Sequence, residues 1–145
     1  MATLHDAPLR DLDAATVYRL LRVRVDVFVV EQECPYPELD GRDLEPDARQ
    51  LWAADGDDVL ATLRLLRDPD GCARIGRVAT ASAARGSGLA ALLMRRAIEL
   101  AGPVDIVLDA QSYLADWYAR FGFVRDGDDF VEDGIAHIPM RRRVG

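Results

Sequence analysis

The rhythm of apolar and polar positions changes several times along the chain, and each change marks an element. Thr3 to His5 alternates briefly, as a short first strand does. From Ala14 to Val30 the apolar positions Val17, Leu20, Leu21 and Phe28 follow a helical repeat, with Asp13 placed to cap it. The stretch ECPYPELDGRDLEPD then breaks the order with three prolines, a glycine and a run of acids. QLWAAD at 50–55, VLATLRLLR at 59–67 and ARIGRVAT at 73–80 read as strands of an antiparallel meander, joined by the turn-forming DGDD and DPDG. A helix from Gly88 to Ala101 turns Leu89, Leu92, Leu93, Ala97 and Leu100 inward and stops at Gly102-Pro103. VDIVLDAQ at 104–111 is nearly continuous in apolar residues, as a buried strand is. Ser112 is placed to cap a short helix, YLADWYARF, closed by Gly122, and residues 123–128 and 135–142 alternate as a last antiparallel pair.

This order, β-α-β-β-β-α-β-α-β-β, predicts an α/β (α+β) fold with a mixed, mostly antiparallel sheet. The strand, loop, helix and buried strand after residue 73 make one crossover, expected to be right-handed. No repeat, linker or low-complexity segment interrupts the chain, so residues 1–145 are expected to form one domain.

Two places break the pattern. RVATASAARGSGLA, residues 77–90, sets an arginine and two glycines ahead of the strongest helix. Glycine there forgoes helix propensity, so bare backbone has a use. A helix N-terminus presents unpaired N–H groups and the positive end of the dipole, which suits an anion. The loop is not a P-loop, because no Gly-Lys-Ser/Thr follows, and it lacks the spacing of a dinucleotide fingerprint. The second break is Arg24, a guanidinium on the apolar face of the first helix. Helical spacing puts it on one face with Phe28 and Glu31, and Glu31 is its expected partner.

The strand ending Val78-Ala79-Thr80, the gap ASAA and the loop Arg85-Gly86-Ser87-Gly88-Leu89-Ala90 together resemble the acetyl-CoA motif of the GNAT N-acetyltransferases. The order of elements resembles that family over essentially the whole chain. The resemblance implies that Val78, Ala79 and Thr80 hydrogen-bond the pantetheine arm and that Arg85 to Ala90 wrap the pyrophosphate. It also implies that Gly88 and Ala90 are small because cofactor and neighbouring strand leave no room. DAQSYLADWYARFGF carries a Y-x-x-F-G-F segment similar to the one whose tyrosine protonates the departing thiolate, which points to Tyr118. A phenol of pKa about 10 is protonated at neutral pH and suits that task. Trp117 and Phe121 read as core aromatics.

RVDVFVVEQECPYPELDGRDLEPDAR at 24–49 and EDGIAHIPM at 132–140 resemble the ElaA-type branch of the GNATs. The first segment is also similar to the Arg…Phe…Asp…Asp pattern of acyl-homoserine-lactone synthases, which share the fold. By this resemblance Arg24, Phe28, Glu31, Asp40, Arg77 and Gln111 lie on the acceptor side of the cofactor, and Arg24, Glu31, Asp40 and Arg77 form one cluster. Asp43 reads equally as part of that side or as a solvated loop acid. Many GNATs carry a glutamate base on the strand before the cofactor loop. Arg77 stands there instead, which leaves Glu31, Asp40, His137 or an ordered water to take the proton of the amine.

Composition narrows this further. A net charge of −7 and a pI near 4.8 argue against a nucleic-acid partner, which needs a basic footprint. All 18 basic residues are arginine, so no lysine serves as nucleophile or base. Cys34 and Cys72 suit neither a disulfide framework nor a zinc site, and no ligand cluster suggests another metal. No apolar run nears the roughly 18 residues of a membrane helix, and the N-terminus lacks a signal-peptide pattern, so a cytoplasmic protein without a membrane partner is expected. The expected reaction is direct acetyl transfer from acetyl-CoA to a primary amine. That amine is a small molecule or sits on a peptide or protein, and the enzyme is a monomer or homodimer. The rival readings are a non-catalytic acyl-CoA sensor or adaptor and an acyl-homoserine-lactone-synthase-like enzyme.

Overall fold

The computed structural model describes residues 1–145. All eight strands join one sheet in the order β1-β2-β3-β4-β5-β8-β6, with β7 paired to β8. They are β1 (Thr3–Ala7), β2 (Arg49–Asp55), β3 (Asp58–Arg67), β4 (Ala73–Thr80), β5 (Ile106–Gln111), β6 (Val124–Arg125), β7 (Phe130–Glu132) and β8 (Ile135–Arg142). Every pairing is antiparallel except β4 with β5. The meander, the crossover and the final pairing lie where the sequence pattern puts them. The additional strand β7 was too short to announce itself. No helix is long and apolar enough to cross a membrane.

Helices cover both faces of the sheet. Helix α2 (Leu89–Ala101) packs Leu93, Met94, Ala97 and Ala101 against Leu51, Ala53, Leu63, Leu65, Ala73 and Ile75. The short helix α3 (Ala115–Ala119) adds Tyr118 to the same core, and Phe123 follows it. Residues of opposite parity, Gln50, Trp52, Thr62 and Arg64, therefore face the other side. There Leu20 of helix α1 (Ala14–Val25) packs against Trp52 and Ala54. Asp13 caps α1 as expected, accepting from the Thr16 N–H at 2.8 Å. Ser112 does not cap α3: a 3-10 turn at Ser112–Leu114 comes first, and its hydroxyl is buried without a partner.

The first helix departs from its expected course. Beyond Val25 it widens into a π-helical segment, Asp26–Glu31. Bonds from i to i+5 add a residue to the turn, so Glu31 is rotated off the face of Arg24. The expected Arg24–Glu31 pair does not form. Arg24, 1% exposed, instead donates from Nε to Glu38 at 2.7 Å and from Nη1 to Asp43 at 2.7 Å. Asp43 is thus no solvated loop acid, being buried. It also accepts from the Gln50 amide at 2.8 Å and from Arg64 at 3.3 Å. This network fastens the irregular stretch after the π segment to α1, β2 and β3.

An ion pair of this kind does not by itself make the fold more stable than apolar packing would, but losing one member leaves the others buried and uncompensated. Asp43→Ala is expected to destabilise the protein by about 3–5 kcal/mol, read as a lowered urea midpoint with an unchanged slope. A loss under about 1 kcal/mol would mean the network behaves like a surface ion pair.

Candidate active site

Strand β4 carries a bulge. Thr62 of β3 faces Ala79 and Arg64 faces Gly76, so Arg77 and Val78 together oppose the one residue between them. Arg77 takes the left-handed φ of 52°, which costs a non-glycine residue roughly 1–2 kcal/mol. Side-chain bonds hold it there: Nε donates to Glu38 at 2.8 Å, and Nη2 donates to the Glu38 carbonyl at 3.1 Å and to Asp40 at 3.4 Å. The bulge turns Val78 toward the α2 core and bends the strand. Past Ala73↔Ile106 and Arg74↔Val107, β4 and β5 no longer pair.

A cleft of about 1000 Å³ fills the parting. Val78, Ala79 and Thr80 line one side, and Arg85 to Ala90 close its end ahead of α2. Gly86 and Gly88 have φ of 81° and 79°, a conformation that favours glycine. Nothing lies within 4 Å of a Cβ built on Gly88, so this φ, and not crowding from the neighbouring strand, is what requires the glycine. The N–H groups of Gly86, Gly88 and Ala90 make no backbone hydrogen bond within the loop. These are donors suited to a pyrophosphate, set at the positive end of a helix.

The two sides of the cleft differ. On the α2 side stand Leu89, Leu114, Trp117 and Tyr118. Tyr118 is 7% exposed, packed edge-on against Trp117 at 4.9 Å and Phe123 at 6.4 Å. Burial, aided by the Tyr113 phenol, pushes its pKa well above that of a free phenol. On the α1 side the cleft is lined by Phe28, Glu31, Gln32, Tyr36, Asp40, Arg77, Gln111 and His137. The His137 ring stacks on Phe130 at 5.4 Å, and Nδ1 lies 2.8 Å from the Ile135 carbonyl. A carbonyl only accepts, so Nδ1 is the donor, and in the neutral ring Nε2 is then the nitrogen with the lone pair.

Of the residues expected here, only Arg24 and Asp43 stay out of the cleft wall, both being buried beneath it. Asp40 and Arg77 do belong to one network with Arg24, joined through Glu38, Asp43 and Arg64, but Glu31 does not. It accepts instead from Arg85. Both oxygens of Asp40 are held by Arg64, at 2.8 and 2.7 Å. That hydrogen bonding, against some burial, and the Arg42 N–H keep its pKa far below the carboxylate range. Asp43 is also lowered: burial acts to raise it, and Arg24, Gln50 and Arg64 outweigh burial.

Glu38, Tyr36 and Gln32 are the residues that reading the sequence did not single out. Glu38 joins Arg24 and Arg77 and accepts from the Tyr36 hydroxyl, while the Arg77 guanidinium lies 5.5 Å over the Tyr36 ring. A signal existed in LATLRLLR, where Arg64 stands within an apolar strand and needs an acid from elsewhere.

A sheet whose two central parallel strands part beside a glycine-rich helix start defines an acyl-CoA N-acyltransferase fold, and comparison with known proteins agrees. A family model for the acetyltransferase (GNAT) domain matches residues 23–144, and the chain belongs to the GNAT family of acyltransferases. The crystal structure of an acyl-CoA N-acyltransferase from Pseudomonas aeruginosa matches with a TM-score of 0.92 at 44% identity, covering 98% of this chain and 99% of that one.

Within the family the chain is of the ElaA type. Protein ElaA of Escherichia coli is 37% identical over 140 residues, 92% of each chain. Its crystal structure matches with a TM-score of 0.92 at 35% identity, over 99% of this chain and 100% of that one. The UPF0039 protein Rv2851c of Mycobacterium tuberculosis is 50% identical over 137 residues, 92% of this chain and 88% of its own.

The lowered carboxylates carry a pH signature. In the folded state Asp40 and Asp43 bind protons less readily than in the unfolded chain, so stability rises with pH where the unfolded chain is still protonated. Their contribution is complete above the usual aspartate range, near pH 4, and is lost as pH falls from there through the lowered folded values. Thermal melting of wild type and Asp40→Asn should therefore differ by a constant amount above about pH 5, the gap closing as pH falls below about 4. A gap that stayed constant to pH 2 would contradict the ion-pair account of Asp40.

Proposed function

We propose that the protein transfers an acetyl group from acetyl-CoA directly to a primary amine. The observation that carries this reading is the parting of β4 from β5 at the Arg77–Val78 bulge, ending at the left-handed Gly86 and Gly88. Backbone groups of Val78, Ala79 and Thr80 then take the pantetheine arm, and Arg85 with the N–H groups of Gly86, Gly88 and Ala90 takes the pyrophosphate. The cofactor supplies the acyl carbon activated as a thioester.

The acceptor nitrogen approaches from the α1 side, between Phe28, Arg77, Gln111 and His137, and bonds to that carbon while the carbon–sulfur bond breaks. A backbone N–H of β4 at the bulge polarises the carbonyl. Tyr118 gives its proton to the sulfur. Burial favours the neutral phenol, so the residue holds its proton throughout the physiological range. His137 Nε2 takes the proton of the amine. Asp40 suits that task poorly, because a carboxylate held by Arg64 with a strongly lowered pKa is a weak base.

The cofactor reading is tested by thermal shift with CoA. A ligand at 100 times its dissociation constant adds about 2.7 kcal/mol, and Gly88→Val should remove the shift because valine cannot keep the left-handed φ that aims the loop N–H groups. A folded Gly88→Val protein with a wild-type shift would misplace the pyrophosphate.

The two proton roles separate by pH. Tyr118→Phe should cut turnover by about 100-fold to 10,000-fold at all pH values, with CoA affinity nearly unchanged. His137→Ala should lose activity at neutral pH and recover it as the pH approaches the pKa of the amine, which then arrives already deprotonated. Pre-steady-state rates over pH 6–10 check both. A His137→Ala deficit independent of pH would remove His137 as base.

A further inference from the structure

Glu31 and Gln32, at the end of the π segment, reach the two lips of the cleft. Glu31 accepts from Arg85 Nη2, in the loop after β4. Gln32 exchanges amide hydrogen bonds with Gln111, at the end of β5, each 3.3 Å long. Arg85 adds one weak bond, to the Thr80 carbonyl at 3.3 Å. Of the other acids about the cleft, Glu38 is paired with Arg24 and Arg77, Asp40 with Arg64 and Arg77, and Glu132 and Asp133 stand exposed at the β7–β8 turn without an arginine partner. Asp109 is paired with Arg74. Glu31 is therefore the acid on this wall whose partner is itself a candidate ligand of the cofactor.

A guanidinium matches phosphate oxygens in a two-pronged geometry and binds a doubly charged group more strongly than one carboxylate. The Arg85 and Glu31 side chains are 49% and 37% exposed, where ion pairs are weak. A pyrophosphate in the Gly86–Gly88 loop thus competes for the edge that Glu31 uses, and wins. A carboxylate released beside the acceptor path then needs a cation. We propose that acyl-CoA draws Arg85 away from Glu31, and that the freed Glu31 seats the acceptor as an alkylammonium ion. This rests on the acetyl-CoA reading above and deepens it.

Two properties follow. The acceptor is a strongly basic aliphatic amine, charged on arrival, and not a weakly basic arylamine. The ammonium site exists only once Arg85 has turned away, so acceptor affinity depends on bound CoA through this one side-chain pair. Linkage makes the coupling reciprocal: whatever CoA does for the ammonium ion, the ammonium ion does for CoA.

The test is calorimetric titration of CoA into wild type, Glu31→Gln, Arg85→Gln and the double variant. Both side chains are partly exposed, so all four proteins are expected to fold, a point to be checked by their melting curves. Glu31→Gln should bind CoA about twofold to fivefold more tightly than wild type, the range a released surface ion pair allows. Arg85→Gln should bind more weakly, and adding Glu31→Gln to it should restore nothing. With CoA present, n-hexylamine at pH 7 should bind wild type more tightly than Glu31→Gln, and aniline should not distinguish them. CoA affinity unchanged or weakened by Glu31→Gln would overturn the exchange. Equal hexylammonium binding by the two CoA-loaded proteins would overturn the seat. If wild type takes up no CoA at all, the acetyl-CoA reading fails first and this inference with it.

Discussion

β4 and β5 run side by side for two residue pairs and then separate, and the site depends on that separation. Backbone N–H and C=O groups require partners, yet past Arg74 the edge of β4 that should face β5 finds none in the sheet. An unpaired edge is a template for another extended chain. Here α2 packs against one face of β4 and the π segment against the other, so the edge lies in the cleft between them. A slender arm carrying amide groups fits such an edge, and a helix N-terminus waits where that arm would end in an anion.

The separation is made by the bulge, and the bulge is held from behind. Arg77 occupies a left-handed conformation that a strand does not offer freely, and Glu38 holds it through both side chain and carbonyl. Glu38 in turn is fixed by Arg24 from α1 and lies beside Asp40 and Asp43, which grip Arg64 of β3. Three arginines and three acids balance in charge within this group. It therefore shapes the α1-side wall of the cleft while carrying no net charge of its own. A buried polar network of this kind exchanges stability for a defined geometry, and the geometry it defines is the mouth of the cleft.

The parts that were legible in the sequence are those governed by local rules. Alternation with Asp-Gly turns placed the meander. Gly86 and Gly88 ahead of Leu89 placed the loop, because positive φ leaves its mark in residue type. Tyr118 was expected from the resemblance of its Y-x-x-F-G-F segment, and it does line the cleft. What failed was the extrapolation of one period: the 3.6 repeat put Glu31 under Arg24, and the π segment broke that repeat after Val25. Nothing in DVFVVE signals the wider turn. Glu38 was missed for a different reason. An acid in a proline-rich loop has no period, and its partners Arg24 and Arg77 come from elements that meet only when the sheet closes.

The two groups proposed to move protons, Tyr118 and His137, lie on opposite faces of the sheet. Tyr118 belongs to the α2 core, while His137, one position out of phase with the buried Ile138 of the same strand, faces α1. Both line the cleft where β4 and β5 part. An acid whose pKa is raised by burial releases its proton reluctantly, so under the proposed mechanism Tyr118 donates only once negative charge has gathered on the sulfur. In the proposed reaction the proton lost by the amine therefore leaves on the α1 side and the proton gained by the sulfur comes from the α2 side, so that base and acid each act on their own atom of the reacting pair.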